Sequence, residues 1–109
     1  MAHPIKTISK RSTFVFIREK GKFIRGKAFN LQFLKDSNLD DIILVGFTAT
    51  KKIGKSVKRN KAKRILRELA RKVITKYGKI NSYYVLIAKT QIFEIAFNTQ
   101  EIELKKLIS

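Results

Sequence analysis

The segment Thr50 to Lys76, TKKIGKSVKRNKAKRILRELARKVITK, carries twelve Lys or Arg and one acid, Glu68. Among the cations, apolar residues recur at helical spacing. At about 100° of turn per residue, Ala62, Ile65, Leu66, Leu69 and Val73 share one arc. Such an arc must pack on another layer. Arg59, Asn60, Lys63, Arg64, Arg67 and Arg71 fall in the neighbouring arc, and Lys58, Lys61 and Lys72 flank the other edge. One carboxylate cannot balance this many cations through intrahelical pairs. A fold built on this helix must bury one side and present the rest to a polyanion, which points to nucleic acid.

The flanking segments supply the layer the helix needs. Phe23 to Leu34 alternates in part, with Phe29, Leu31 and Phe33 pointing one way and Asn30 and Gln32 the other, the mark of a half-buried strand. A split into two strands near Gly26 fits the same pattern. Lys35 to Asp41 reads as a turn, Ile42 to Thr48 as a central strand and Tyr83 to Ala88 as another. Ahead of them a short helix, capped by Ser9 or Ser12, runs to about Lys20 and stops at Gly21. In it Phe14 and Ile17 share a face, and Phe16 is expected in the core or, failing that, as a second groove aromatic. The long helix spans about Ser56 to Tyr77 and ends at Gly78. A last helix from about Thr99 carries Ile102, Leu104, Leu107 and Ile108. The order α-β-β-(β)-α-β-α predicts an α+β fold, a small mostly antiparallel sheet packed with helices. Residues 1–109 form a single domain, with 1–8 a flexible basic arm and 9–108 the folded part.

Composition narrows the chemistry. The formal charge is +17 on 109 residues, yet 44% of them are hydrophobic, enough for a folded core. There is no cysteine, which excludes disulfides and thiolate chemistry. The single histidine, His3, lies in a stretch expected to fray. The eight acids are scattered, and Asp40-Asp41 sit in a turn, so general acid–base catalysis has few candidates. Phosphate backbones are the usual reason for such a charge. An acidic membrane surface would require an amphipathic anchor, and none is evident. No apolar run reaches about 18 residues, and MAHPIKTISKR lacks the apolar segment of a secretory signal. The expectation is a cytoplasmic protein with no membrane partner.

Ala49 to Ser56, A-T-K-K-I-G-K-S, satisfies a loose phosphate-loop pattern between a strand and a helix. It has a single glycine, Gly54, and the strand YYVLIA ends in Lys89-Thr90 rather than in an Asp for magnesium. No nucleotide cofactor is expected. A helix start flanked by Lys51, Lys52 and Lys55 still suits one backbone phosphate.

These residues resemble a known family. KKIGKSVKRNKAKRILRE, Lys51 to Glu68, is similar to the signature of the bacterial ribonuclease P protein subunit, a Lys-Lys-Ile/Val-Gly lead-in to an Arg-Asn-Arg-x-x-Lys-Arg-x-x-Arg helix. Arg59, Asn60, Lys63, Arg64 and Arg67 match, and Lys61 stands where the family usually has a second Arg. GFTATKK resembles the preceding strand end, ISKRSTFVFIREKGKFIRGKAF the family's opening, and VLIAK (85–89) its late strand. The resemblance covers roughly residues 8–108. It implies a subunit that binds a catalytic RNA; together they remove the 5′ leader from precursor tRNA, and the RNA, with Mg2+, performs the hydrolysis. It implies RNA contacts at Lys51, Lys52, Arg59, Asn60, Lys61, Lys63, Arg64 and Arg67. It also implies a leader groove between the first helix and the sheet, with a left-handed βαβ crossover. Phe14 matches the family's first helical aromatic. Arg18 replaces the second, keeping stacking and phosphate contact available. Phe33 and Thr50 are expected on the groove wall. Two rival readings share parts of this pattern: a ribosomal-type structural RNA binder and a small nucleotide-hydrolysing enzyme.

Overall fold

The structure is a computed structural model describing residues 4–109; His3 lies outside the described residues. The chain runs β1 (Ile5–Thr7), α1 (Arg11–Lys20), β2 (Lys22–Ile24), β3 (Phe29–Lys35), β4 (Ile43–Thr48), a 3-10 turn (Lys51–Ile53) and α2 (Ser56–Leu69). A π turn (Ala70–Ile74) and a last α turn (Thr75–Tyr77) extend α2. Then come β5 (Ser82–Ala88), a 3-10 turn (Thr90–Phe93) and the C-terminal helix (Phe97–Ile108). The five strands form one sheet in the order β1-β4-β5-β3-β2.

The α+β architecture and the split of the first β segment match expectation. Two details differ. Residues 1–8 do not all form an arm, because Ile5–Thr7 pairs in parallel with Ile43, Leu44 and Val45 of β4. With it, two of the four strand pairings are parallel, so the sheet is evenly mixed rather than mostly antiparallel. β4 and β5 are also parallel, while β2–β3 and β3–β5 are antiparallel. Nor does either serine cap α1: Lys10 is the N-cap and makes no side-chain cap bond.

Strand alternation sorts side chains onto the two faces of the sheet. Phe29, Leu31, Val45, Tyr84 and Leu86 point to one face and are buried with Ala62, Leu66, Leu69 and Val73 of the long helix and Leu104 and Ile108 of the C-terminal helix. The apolar arc foreseen for α2 is thus the main core contact, with Ile65 half-buried at its border. Glu103 ties the C-terminal helix to the β2–β3 loop, its carboxylate accepting the Lys27 and Ala28 N–H groups at 2.8 and 3.3 Å. The other face carries Tyr83, Val85 and Leu44 and is covered by α1 through Ile17 and Phe14. Phe16 is not in this core. It is 42% exposed and meets Tyr83 edge-on, with ring centroids 6.2 Å apart, because Phe14 and Ile17 already take the inward side of the helix.

Candidate nucleic-acid interface

The floor of the candidate site follows from strand register. Gln32, Val85 and Gly46 lie side by side across β3, β5 and β4, and Asn30, Ile87 and Thr48 form the next row. Gly46 decides what sits above them. A Cβ there would meet the Phe14 ring at 2.4 Å, so the aromatic of α1 rests directly on bare backbone. Phe14 is thereby both packed and accessible: it is half-buried and lines an open cleft of about 590 Å3 between α1, the sheet and α2. That volume is within the range of ligand clefts.

The cleft is apolar below and cationic at its rim. Phe14, Val15, Phe47, Val85 and Ile87 line it, with Arg11 and Arg18 from α1 and Lys63 from α2. An aromatic face between guanidinium and ammonium groups suits a single-stranded polynucleotide, whose bases stack and whose phosphates pair. Thr50 lines the cleft as expected. Phe33 does not. It packs on Tyr84 with ring centroids 5.1 Å apart, on the α2 side of the sheet. The residue of β3 that reaches the cleft is its neighbour Gln32. The alternation already separated the two; what it lacked was the side on which α1 lies.

Beside the cleft runs the cationic stripe of α2. Asn60, Arg64 and Arg67 are exposed, and Arg59 and Lys63 are half-buried. The Arg67 guanidinium stands 5.8 Å over the Phe47 ring, and Lys63 of the stripe lines the cleft, so the two surfaces adjoin. Arg71 is committed elsewhere, paired with Glu68. Its guanidinium holds the Glu68 carboxyl below the usual carboxylate range, chiefly through that hydrogen bond. Lys61 does not join the stripe: its ammonium lies 5.8 Å over Phe93, on the opposite edge of the helix. Lys51 and Lys52 are exposed on the 3-10 turn that leads into α2. Gly54, at φ 137°, then turns the chain into the helix with a backbone that side-chain-bearing residues rarely adopt.

No group of three or more His, Cys, Asp or Glu that would hold a metal ion occurs among the described residues. None of their helices is long and apolar enough to cross a membrane.

The chain is similar to known proteins over nearly its whole length. The family model described as Ribonuclease P matches residues 3–109. A ribonuclease P protein component of Caulobacter vibrioides is 42% identical over 82 residues, 75% of this chain and 54% of that protein. The chain thus spans about half the length of that relative. One from Bartonella quintana is 34% identical over 97% of this chain and 82% of its own. Among solved structures, the RNase P protein from Thermotoga maritima superposes with a TM-score of 0.80 at 27% identity, covering 94% of each chain. With a family model matched from residue 3 to the last residue and relatives above 30% identity, the chain belongs to the ribonuclease P protein family.

Proposed function

We propose that this chain is the RNA-binding protein subunit of a cytoplasmic ribonuclease P ribonucleoprotein, the endonuclease that removes the 5′ leader from precursor tRNA. The observation that carries the proposal is the junction of two surfaces: a cleft walled by Phe14 meets the cationic stripe of α2 at Lys63, which belongs to both. Two nucleic-acid strands held there would lie side by side.

In this reading the leader enters the cleft as a single strand. A base stacks on Phe14, and Arg18 and Lys63 at the rim take phosphates. Thr50 and Gln32 offer hydrogen bonds at the cleft wall. The catalytic RNA docks on Arg59, Asn60, Arg64 and Arg67, with Lys51 and Lys52 at the helix start. Arg provides a bidentate fork for phosphate, and Asn60 donates and accepts at a base edge or a sugar hydroxyl. The protein's part is to neutralise phosphate repulsion between two RNAs, which favours both substrate and magnesium binding. The ion is assigned to the RNA, and so is the cleavage step.

Reconstitution tests this. The protein, the catalytic RNA from the same genome and a precursor tRNA are mixed at low magnesium, and cleavage is timed. Acceleration that requires the RNA is the expected result. Cleavage by the polypeptide alone, or no effect on the RNA, overturns the proposal. Recovery of ribosomal RNA instead, with no effect on processing, would favour the ribosomal reading. Within the complex, Phe14→Ala should weaken precursor binding by about 1–3 kcal/mol, the worth of one stacked base, and mature tRNA binding much less. Equal losses would assign Phe14 to packing alone.

A further inference from the structure

The edge of α2 away from the cleft is also cationic, and its lysines lie over aromatic rings. Lys58 and Lys61 both reach the Phe93 ring, their ammoniums 5.6 and 5.8 Å from its centroid. Lys72 stands 5.4 Å from Phe97, and Lys105 of the C-terminal helix 4.4 Å from Tyr77. Four ammoniums thus ride on three rings along the seam between α2 and the C-terminal segment. All four lysines are exposed, and Tyr77 is 47% exposed. Among the described residues the one ion pair is Arg71 with Glu68, so these four charges have no carboxylate partner.

This arrangement differs from a solvated lysine face. A free lysine loses much of its rotamer entropy when it grips a phosphate. A ring beneath the ammonium restricts the side chain beforehand while leaving its outer N–H groups available. The same ring, covered by a cation, is less open to a stacking base. The edge is therefore suited to phosphates rather than bases, and to a backbone whose phosphates line up, as in a helical RNA. It lies across the buried arc from the arginine stripe, so it meets a different segment from the one the stripe meets.

We infer that Lys58, Lys61, Lys72 and Lys105, seated on Phe93, Phe97 and Tyr77, form a second backbone-binding edge for a helical segment of the same catalytic RNA. This rests on the RNA-subunit reading above, and the test separates the two. Binding of the protein to the labelled catalytic RNA is measured across a salt series for three proteins: wild type, Lys58→Gln/Lys72→Gln/Lys105→Gln, and Arg64→Ala/Arg67→Ala. The triple variant avoids every residue assigned to the cleft or the stripe. Each lost phosphate contact should flatten the log–log salt slope by about 0.7–0.9, so the triple variant should lose about 2–3 units. Phe93→Leu keeps every charge; it should weaken binding a few-fold with the slope unchanged. Urea midpoints confirm that each variant is folded. A wild-type slope in the triple variant, with a flattened slope in the arginine variant, overturns the second edge and leaves the function intact. Wild-type slopes in both overturn the RNA-subunit reading itself. A slope loss seen with precursor tRNA alone and not with the catalytic RNA overturns the assignment of the edge to the ribozyme. Unchanged affinity in Phe93→Leu overturns the positioning role of the ring.

Discussion

The sheet face under α2 and the C-terminal helix and the face under α1 start from similar strands and end differently. The first buries Phe29, Leu31, Val45, Tyr84 and Leu86 beneath two helices. The second has a single ten-residue helix above it. Such a helix is about 15 Å long, whereas five strands spaced about 4.8 Å apart span about 19 Å. A part of that face is left uncovered, and the cleft occupies it. Side chains follow suit: Gln32 and Thr48 are tolerated on the open face, where solvent can satisfy them, and the Asn30 side-chain oxygen accepts the Gly26 N–H at 3.3 Å. The cleft here arises from leaving a sheet face under-covered, with no loop insertion needed.

Four measurements would break or sharpen this contrast. The largest effect is expected under α2. Leu66 is fully buried, and Leu66→Ala should cost about 3 kcal/mol in urea unfolding while the salt slope for RNA stays put. A loss below about 1 kcal/mol would mean that this face does not carry the stability. Next comes Gly46→Ala, where the new Cβ would meet Phe14. It should cost about 1–3 kcal/mol through overpacking and also weaken precursor binding. Combined with Phe14→Ala, much of the stability should return, since the two sites share one contact; strict additivity would show that the ring does not rest on that glycine.

A smaller effect is expected on the exposed stripe. Arg64→Ala and Arg67→Ala should each leave stability within about 0.5 kcal/mol and flatten the RNA salt slope by about one unit. An unchanged slope would remove α2 as the contact surface. The smallest concerns alkali. Burial pushes the phenols of Tyr83 and Tyr84 up, with Asp36 adding to the shift at Tyr83 and the Lys79 N–H opposing it at Tyr84. Folding therefore favours the neutral phenol. Its contribution is present in full below the unfolded value of about 10 and is lost as pH rises through the higher folded values. Urea midpoints should fall on that alkaline side, and less steeply in Tyr83→Phe. A midpoint independent of pH there would show that both rings are solvated.

Much of this was legible in one dimension. The buried arc of α2 was readable because helical spacing is local, and the cationic stripe because charge needs no context. Other features were not. β1 is three residues, Ile-Lys-Thr, whose pairing partner lies far along the chain on β4; no local pattern marks so short a strand. The π turn at Ala70–Ile74 leaves no compositional sign. Phe16 read as core because four consecutive apolar residues, Phe14 to Ile17, crowd a short helix, and only the sheet beneath showed there was room for Phe14 and Ile17 alone.

The chain by itself determined the sign of its surface charge, the two faces of its long helix and the parity of each strand, since each depends on composition or on residues a few positions apart. Only the tertiary structure decided which parity faces the cleft. That choice rests on where α1 settles, and α1 settles where Gly46 leaves space for Phe14. Contacts between residues distant in sequence set it, which is why Gln32 rather than Phe33 lines the groove.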